Sequence, residues 1–195
     1  MLPVRDRMIM QSLEALRLHG YNALGVQEIA DAAHMPKGSF YNHFASKEEF
    51  AVVSLKTYAK QGIISTERIL SDERITPYAR LIKLYNERVG FEKKRLATAP
   101  GCLINMLAQE MSSASPAIRE AAASAMQQLI DCVAAAISKA EASAEIDPPM
   151  PAHELAAYCE AAWRGALILA RAENRIAPLQ TFIRMLPITL GRITK

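Results

Sequence analysis

Residues 26–44 read VQEIADAAHMPKGSFYNHF, and their spacing decides the fold. Val26, Ile29, Ala30 and Ala33 recur at helical intervals and mark one buried stripe. His34-Met35-Pro36 interrupts, and a second short helix restarts through Lys37, Gly38 and Ser39 toward Phe44. Proline suits a helix start, because the N–H it lacks would have no intrahelical partner there. Two short helices joined by a tight turn form a helix-turn-helix, whose second member can enter a DNA major groove. That second helix carries Lys37, Ser39, Tyr41, Asn42 and His43, all hydrogen-bond donors, while Phe40 and Phe44, four apart, can pin it to a core. Spacing alone fits an ordinary helical hairpin with a polar outer face equally well.

The run from Ile29-Ala30 through Lys37-Gly38-Ser39 to Phe40-Tyr41-Asn42-His43-Phe44, followed by Ser46-Lys47-Glu48, resembles the DNA-binding domain of TetR-type transcriptional regulators. The resemblance covers roughly residues 5–55 and implies an all-α protein. A three-helix helix-turn-helix domain at 1–46 would precede a helical effector-sensing and dimerisation domain at 47–195. It implies a double-stranded DNA operator as partner, no cofactor, no enzymatic activity and repression as the default outcome. One helix-turn-helix reads only a few base pairs, so a homodimer on a pseudo-palindrome is expected. The family pattern places that dimer contact in the last two helices.

By the same resemblance Tyr41, His43 and Lys47 meet the DNA backbone, Gly38 permits close approach, and Lys37, Ser39 and Asn42 lie nearer base edges, with Gln27 a further contact. Asn42 matches the donor–acceptor pattern of adenine. Where the family has a hydroxyl residue before the first helix of the motif, this chain has Gly25, so no phosphate contact from that side chain is expected.

Charge by itself does not point to DNA. The chain of 195 residues carries a net charge of +3, and in residues 1–60 seven lysines and arginines meet six aspartates and glutamates. A basic face must come from placement. The length permits a substantial core, and a charged fraction of 22% is ordinary for a folded chain. No apolar run approaches the roughly 20 residues that span a bilayer, and the N-terminal Arg5-Asp6-Arg7 is unlike a signal peptide. Cys102, Cys132 and Cys159 are odd in number and widely spaced, which fits a reducing cytoplasm rather than a disulfide or zinc scaffold.

Periodicity predicts helices over 4–19, closed by Gly20, and from Ser46 to about 70 behind a capping box made by Ser46 and Glu49. Others follow from Thr76-Pro77, from Cys102 to Met111 after the break at Ala99-Pro100-Gly101, and from Ser115-Pro116 to about 142. The last two span about 151–173 and 178–193, with Pro187 inside the second.

Pro100-Gly101-Cys102 places a thiol at a helix N-terminus, where unpaired N–H groups favour a thiolate. Gly101-Cys102-Leu103 and Gln109-Glu110-Met111, with Trp163-Arg164-Gly165-Ala166-Leu167 and Pro178-Leu179, resemble a TetR branch that responds to reactive electrophiles or small unsaturated acids such as acrylate, typified by the N-ethylmaleimide-responsive repressor. The pattern departs at Asn105, one residue early so that Met106 takes its place, and at Arg171, where a lysine is expected. An arginine does not readily act as a nucleophilic amine, so a thiol–amine switch is not expected. Tyr58, Tyr85, Phe91, Met106, Gln109, Tyr158 and Trp163 are the predicted walls of an effector pocket in which Gln109, Arg164 and Arg171 orient a carboxylate or carbonyl. Cys132 and Cys159 fall on apolar faces as core residues, and Cys102 fits a small buried residue as well as a sensor. The rival readings are a non-covalent effector, a helical interaction module, and a cysteine-nucleophile enzyme. An enzyme needs a base near Cys102, but His19, His34 and His43 lie in the reading head and His153 opens a different helix.

Overall fold

A computed structural model describes residues 3–97 and 101–193. The break expected at Ala99-Pro100 lies outside the described residues. Nine helices occur among those described: α1 (Val4–Ala23), α2 (Val26–Ala32), α3 (Lys37–Tyr41), α4 (Lys47–Leu70), α5 (Pro77–Arg95), α6 (Leu103–Met111), α7 (Pro116–Ala142), α8 (Ala152–Glu173) and α9 (Ala177–Thr189). The only β-type pairing among the described residues is an isolated bridge between Ile146 and Arg192. The fold is all-α, as expected.

By packing the chain divides into two compact units, Met1–Gln61 with Pro100–Met126, and Gly62–Ala99 with Gln127–Lys195. This partition differs from a boundary at 46/47. The long helices α4 and α7 each contribute one part to each unit, and α6 belongs with the N-terminal helices.

In the first unit Met8, Ile9, Leu16, Leu24, Ile29, Ala30, Phe40, Phe44 and Phe50 are buried. Ser12 fastens α1 to α2, its hydroxyl shared between the carbonyls of Met8 (2.8 Å) and Ile29 (3.0 Å). The capping box is only half realised. Ser46 Oγ accepts from Glu49 N (3.0 Å), but the Glu49 carboxylate takes the N–H of Ala45 (2.8 Å) and the guanidinium of Arg5 (2.8 Å). Arg5 supplies the competing charge and also stacks over Phe44.

In the second unit Thr76 caps α5, accepting from Ala79 N at 3.4 Å. Tyr85, Trp163 and Phe182 form an aromatic cluster with centroids 5.0–6.0 Å apart. Beside them lies Glu160, buried and paired with Arg88 at 2.6 Å. Burial, and then the neighbouring Glu160 charge, push the Tyr85 phenol well above its ordinary pKa, so it stays a donor, 2.9 Å from Glu160 Oε1. The α7 seam of Ile118, Ala122, Ala125, Leu129, Val133, Ile137 and Ala140 is buried throughout. Among the described residues α7 is the one helix long and apolar enough to cross a membrane by length and composition alone. Burial of its apolar seam accounts for that composition. Helix α9 continues through Pro187 to Thr189 rather than ending there.

Gly20 stops the first regular stretch of α1, at φ 78° and ψ −179°, and one further turn follows to Ala23. That region of backbone space is essentially reserved for glycine. Gly20→Ala is therefore expected to cost about 1–3 kcal/mol. Urea unfolding monitored by circular dichroism checks this, and an unchanged midpoint would contradict it.

Candidate functional site

Helix α3 has five residues, too few to be stable alone. Its shape is imposed by Phe40, which has no exposed surface and packs against Phe44 at 5.3 Å and Phe50 at 5.9 Å. Burying position 40 turns the neighbouring positions outward. Lys37, Gly38, Tyr41 and Asn42 are exposed, and Ser39 and His43 are half-buried. A Cβ at Gly38 would meet nothing within 4 Å, so that point of the helix is open to close approach. Tyr41 packs edge-on against Phe40 yet leaves 58% of its surface exposed. Of the six residues the sequence named here, four are thus exposed and two half-buried. The helix itself ends at Tyr41, with Asn42 as its cap and His43 in the turn beyond.

Two expected contacts are engaged within the protein. Gln27 Nε2 donates to Asp31 Oδ1 at 2.7 Å on the exposed side of α2. Lys47 turns inward: its ammonium donates to the carbonyls of Tyr21 (2.9 Å) and Leu24 (3.1 Å) and lies 4.3 Å from the Tyr21 ring centroid. It closes the corner between α1 and α2. His34 adopts φ 55° in the turn before α3 and is exposed.

The predicted effector residues divide between the two units. Tyr58, Cys102, Met106 and Gln109 belong to the first, and Tyr85, Phe91, Tyr158, Trp163, Arg164 and Arg171 to the second. Cys102 is half-buried and is the N-cap residue of α6. Arg17 Nε holds the preceding carbonyl, Gly101 O, at 3.0 Å, and its guanidinium lies over the Tyr58 ring. Met106 and Gln109 line an open crevice of about 410 Å³ with Leu18, His19, Gly20 and Glu110.

In the second unit several expected pocket walls have other places. Tyr85 is core and its hydroxyl is committed to Glu160. Phe91 and Tyr158 are exposed, the first beneath the Arg95 guanidinium and the second lining an open α8–α9 groove of about 640 Å³. Arg171 is bound to Glu92 at 2.7 Å, and Arg164 lies 3.6 Å from Glu160. A carboxylate ligand would have to compete with those glutamates for either arginine. His153, on α8, stands beside Asp131 and Gln127.

Comparison with known proteins agrees with this architecture. Residues 9–52 match the family model described as bacterial regulatory proteins, tetR family, and residues 77–186 match the tetracyclin repressor-like C-terminal domain. The chain belongs to the TetR family. It is 31% identical over 185 residues to the transcriptional regulator AcuR of Cereibacter sphaeroides, covering 95% of this chain and 82% of that protein. It is 28% identical to the HTH-type transcriptional repressor DhaR of a Mycobacterium species, covering 93% and 89%. The crystal structure of reduced Escherichia coli NemR superposes with a TM-score of 0.88 at 21% identity, covering 98% of this chain and all of that one, and shares its fold. NemR is also a sequence relative, at 26% identity over 177 residues. This TetR-family protein is thus a helix-turn-helix transcriptional regulator, as the motif at 29–48 indicated, of a NemR-like branch, as the matches around Cys102 and Trp163 indicated.

Two features of this regulator escaped the sequence reading. The backbone corner after Gly20 is bound by Glu110, a residue whose helix gives no sign of that partner. The core acid Glu160 sits in a run that reads simply as small and apolar. Of the two cysteines expected in the core, Cys159 is buried and Cys132 half-buried. Burial, and then the Glu160 charge, push the Cys159 thiol up to about 12. Burial also raises Cys132, with Glu67 and Asp131 adding to it. Since the thiolate is the reactive form, Cys159 is expected to resist iodoacetamide in the native protein at neutral pH and to react on unfolding. Peptide mass spectrometry of labelled samples checks this. Equal labelling rates in both states would refute it.

Proposed function

We propose that this regulator is a repressor that binds a pseudo-palindromic operator as a homodimer and releases it when a small molecule or electrophile engages the effector region. The observation that carries the DNA-reading part is the burial of Phe40 beside the exposed Lys37, Gly38, Tyr41 and Asn42. Lys37, Ser39 and Asn42 read base edges; Tyr41, His43 and Lys47 position the backbone, with Gln27 adjacent. Lys47 keeps one of its three ammonium donors beyond the two spent on carbonyls, which suffices for one phosphate.

The second copy docks on α8 and α9. Tyr158, Ile168, Leu169, Met185 and Ile188 leave an apolar surface there, and contiguous exposed apolar surface marks association sites. The cytoplasm is the compartment that suits a regulator of transcription with three unpaired thiols. Purified protein presented with random duplexes is expected to select an inverted repeat and to sediment as a dimer. Asn42→Ala should relax preference at one base pair per half-site by about 1–3 kcal/mol. Selection of no duplex at low salt, or a monomer, would overturn the reading.

For the signal, Cys102 starts α6 in a half-buried position accessible to a small reagent. Addition of its sulfur to the β-carbon of an unsaturated carbonyl forms a C–S bond, opens the C=C bond and leaves the thiol proton on the α-carbon. The adduct favours a conformer of lower operator affinity, and the lost affinity equals its preference for that conformer. The pairing of Arg164 and Arg171 with Glu160 and Glu92 favours this version over a carboxylate anchored by those arginines. Cys102→Ser is expected to keep operator binding and lose release by N-ethylmaleimide, measured by fluorescence anisotropy. Retained release would leave the non-covalent reading in its place.

A further inference from the structure

After Gly20 the backbone turns through Tyr21 and Asn22 toward α2, and one side chain binds both of their amides. Tyr21 N donates to Glu110 Oε2 at 2.8 Å, and Asn22 N donates to Glu110 Oε1 at 2.7 Å. Gly20 is part of the same arrangement, because a Cβ there would stand 2.8 Å from Oε2. The carbonyls of this corner are held from the other side by Lys47, at Tyr21 and Leu24. Four backbone groups within residues 21–24 are therefore bound by one anion from α6 and one cation from α4. Hydrogen bonds to ionised groups are about twice as strong as neutral ones. An exposed turn can satisfy its amides with water, so folding alone does not require an acid here.

This corner joins α1 to α2, and through α2 to α3. Helix α6 is also tied to α1 at its other end, where Arg17 holds Gly101 O beside Cys102. Nine residues of helix, about 13 Å long, thus join the thiol end to the carboxylate end as one stiff element.

We propose that Glu110 is a positioning residue for operator binding, whose carboxylate fixes the Tyr21–Asn22 corner and so makes the aim of α3 depend on the position of α6. The inference rests on the reading of α3 as the DNA-contacting helix. Glu110 touches no DNA itself; it acts through the backbone.

The test uses the full chain, an operator selected from random duplexes, and the variants Glu110→Ala and Glu110→Gln. Operator affinity is measured by anisotropy, corrected for the active fraction, with amide hydrogen exchange read at residues 21 and 22. Glu110→Ala is expected to weaken the operator complex about tenfold or more and to speed exchange at both amides, with the salt slope unchanged because no phosphate contact is lost. Glu110→Gln keeps one acceptor oxygen and is expected to fall between alanine and the parent. Affinity within about twofold of the parent despite faster exchange would overturn the proposal, since the bonds would be broken without effect on DNA. Unaltered exchange in Glu110→Ala would overturn it as well. A parent that selects no DNA would sink the DNA-reading assignment and this inference together, whereas a parent and variants that bind equally would sink this inference alone.

Discussion

A helix of five residues cannot hold its own geometry, because forming the first turn fixes several dihedrals in return for a single hydrogen bond. The reading surface therefore depends on how Phe40 is packed. With Phe44 and Phe50 around it, the ring fixes both the depth and the rotation of α3. Rotation matters more than depth. Each helical step turns the side chain by about 100°, so burying position 40 commits positions 38 and 42, each two steps away, to the outside. Function here is the complement of a core contact.

Three cations of the first unit are engaged inside it. Lys47 binds two carbonyls, Arg5 binds Glu49, and Arg17 binds Gly101. Lys37, Lys56 and Lys60 remain exposed. Phosphate attraction sets the sequence-independent part of DNA affinity and its salt dependence. Placement rather than quantity of charge is the governing variable, and it also explains why composition gave no hint of DNA.

Local patterns were legible in the sequence and distant partnerships were not. Helical periodicity, the Thr76-Pro77 start and the glycine stop at 20 report on neighbours within one turn, and each has its counterpart in the fold. The capping box failed at Glu49 because Arg5, 44 positions earlier, offered a competing charge. The pocket walls were misjudged for a related reason. An aromatic residue on a helix looks the same in sequence whether it faces a core, as Tyr85 does, or an open groove, as Tyr158 does. Glu110 was invisible as a tether, since its partners are backbone amides 88 and 89 residues away and no residue type signals them. Gly20 reads in sequence only as a helix stop.

The two units hold their polar groups in different ways, and the difference bears on where a signal can enter. Glu160 is buried with its charge matched by Arg88 and by the Tyr85 hydroxyl, inside an aromatic cluster. Breaking such a group strands a charge away from water, which is costly, so α5 and α8 are strongly held at that point. Helix α6 is tied to α1 by bonds whose backbone partners lie in part-buried or exposed positions, where water can replace what is lost. Bonds of that kind open at much smaller cost. Displacing α6 from α1 therefore costs less than separating α5 from α8 at Glu160. The softer attachment is that of α6, capped by Cys102 and tethered through Glu110, and the firmer one is that of α8 to α5.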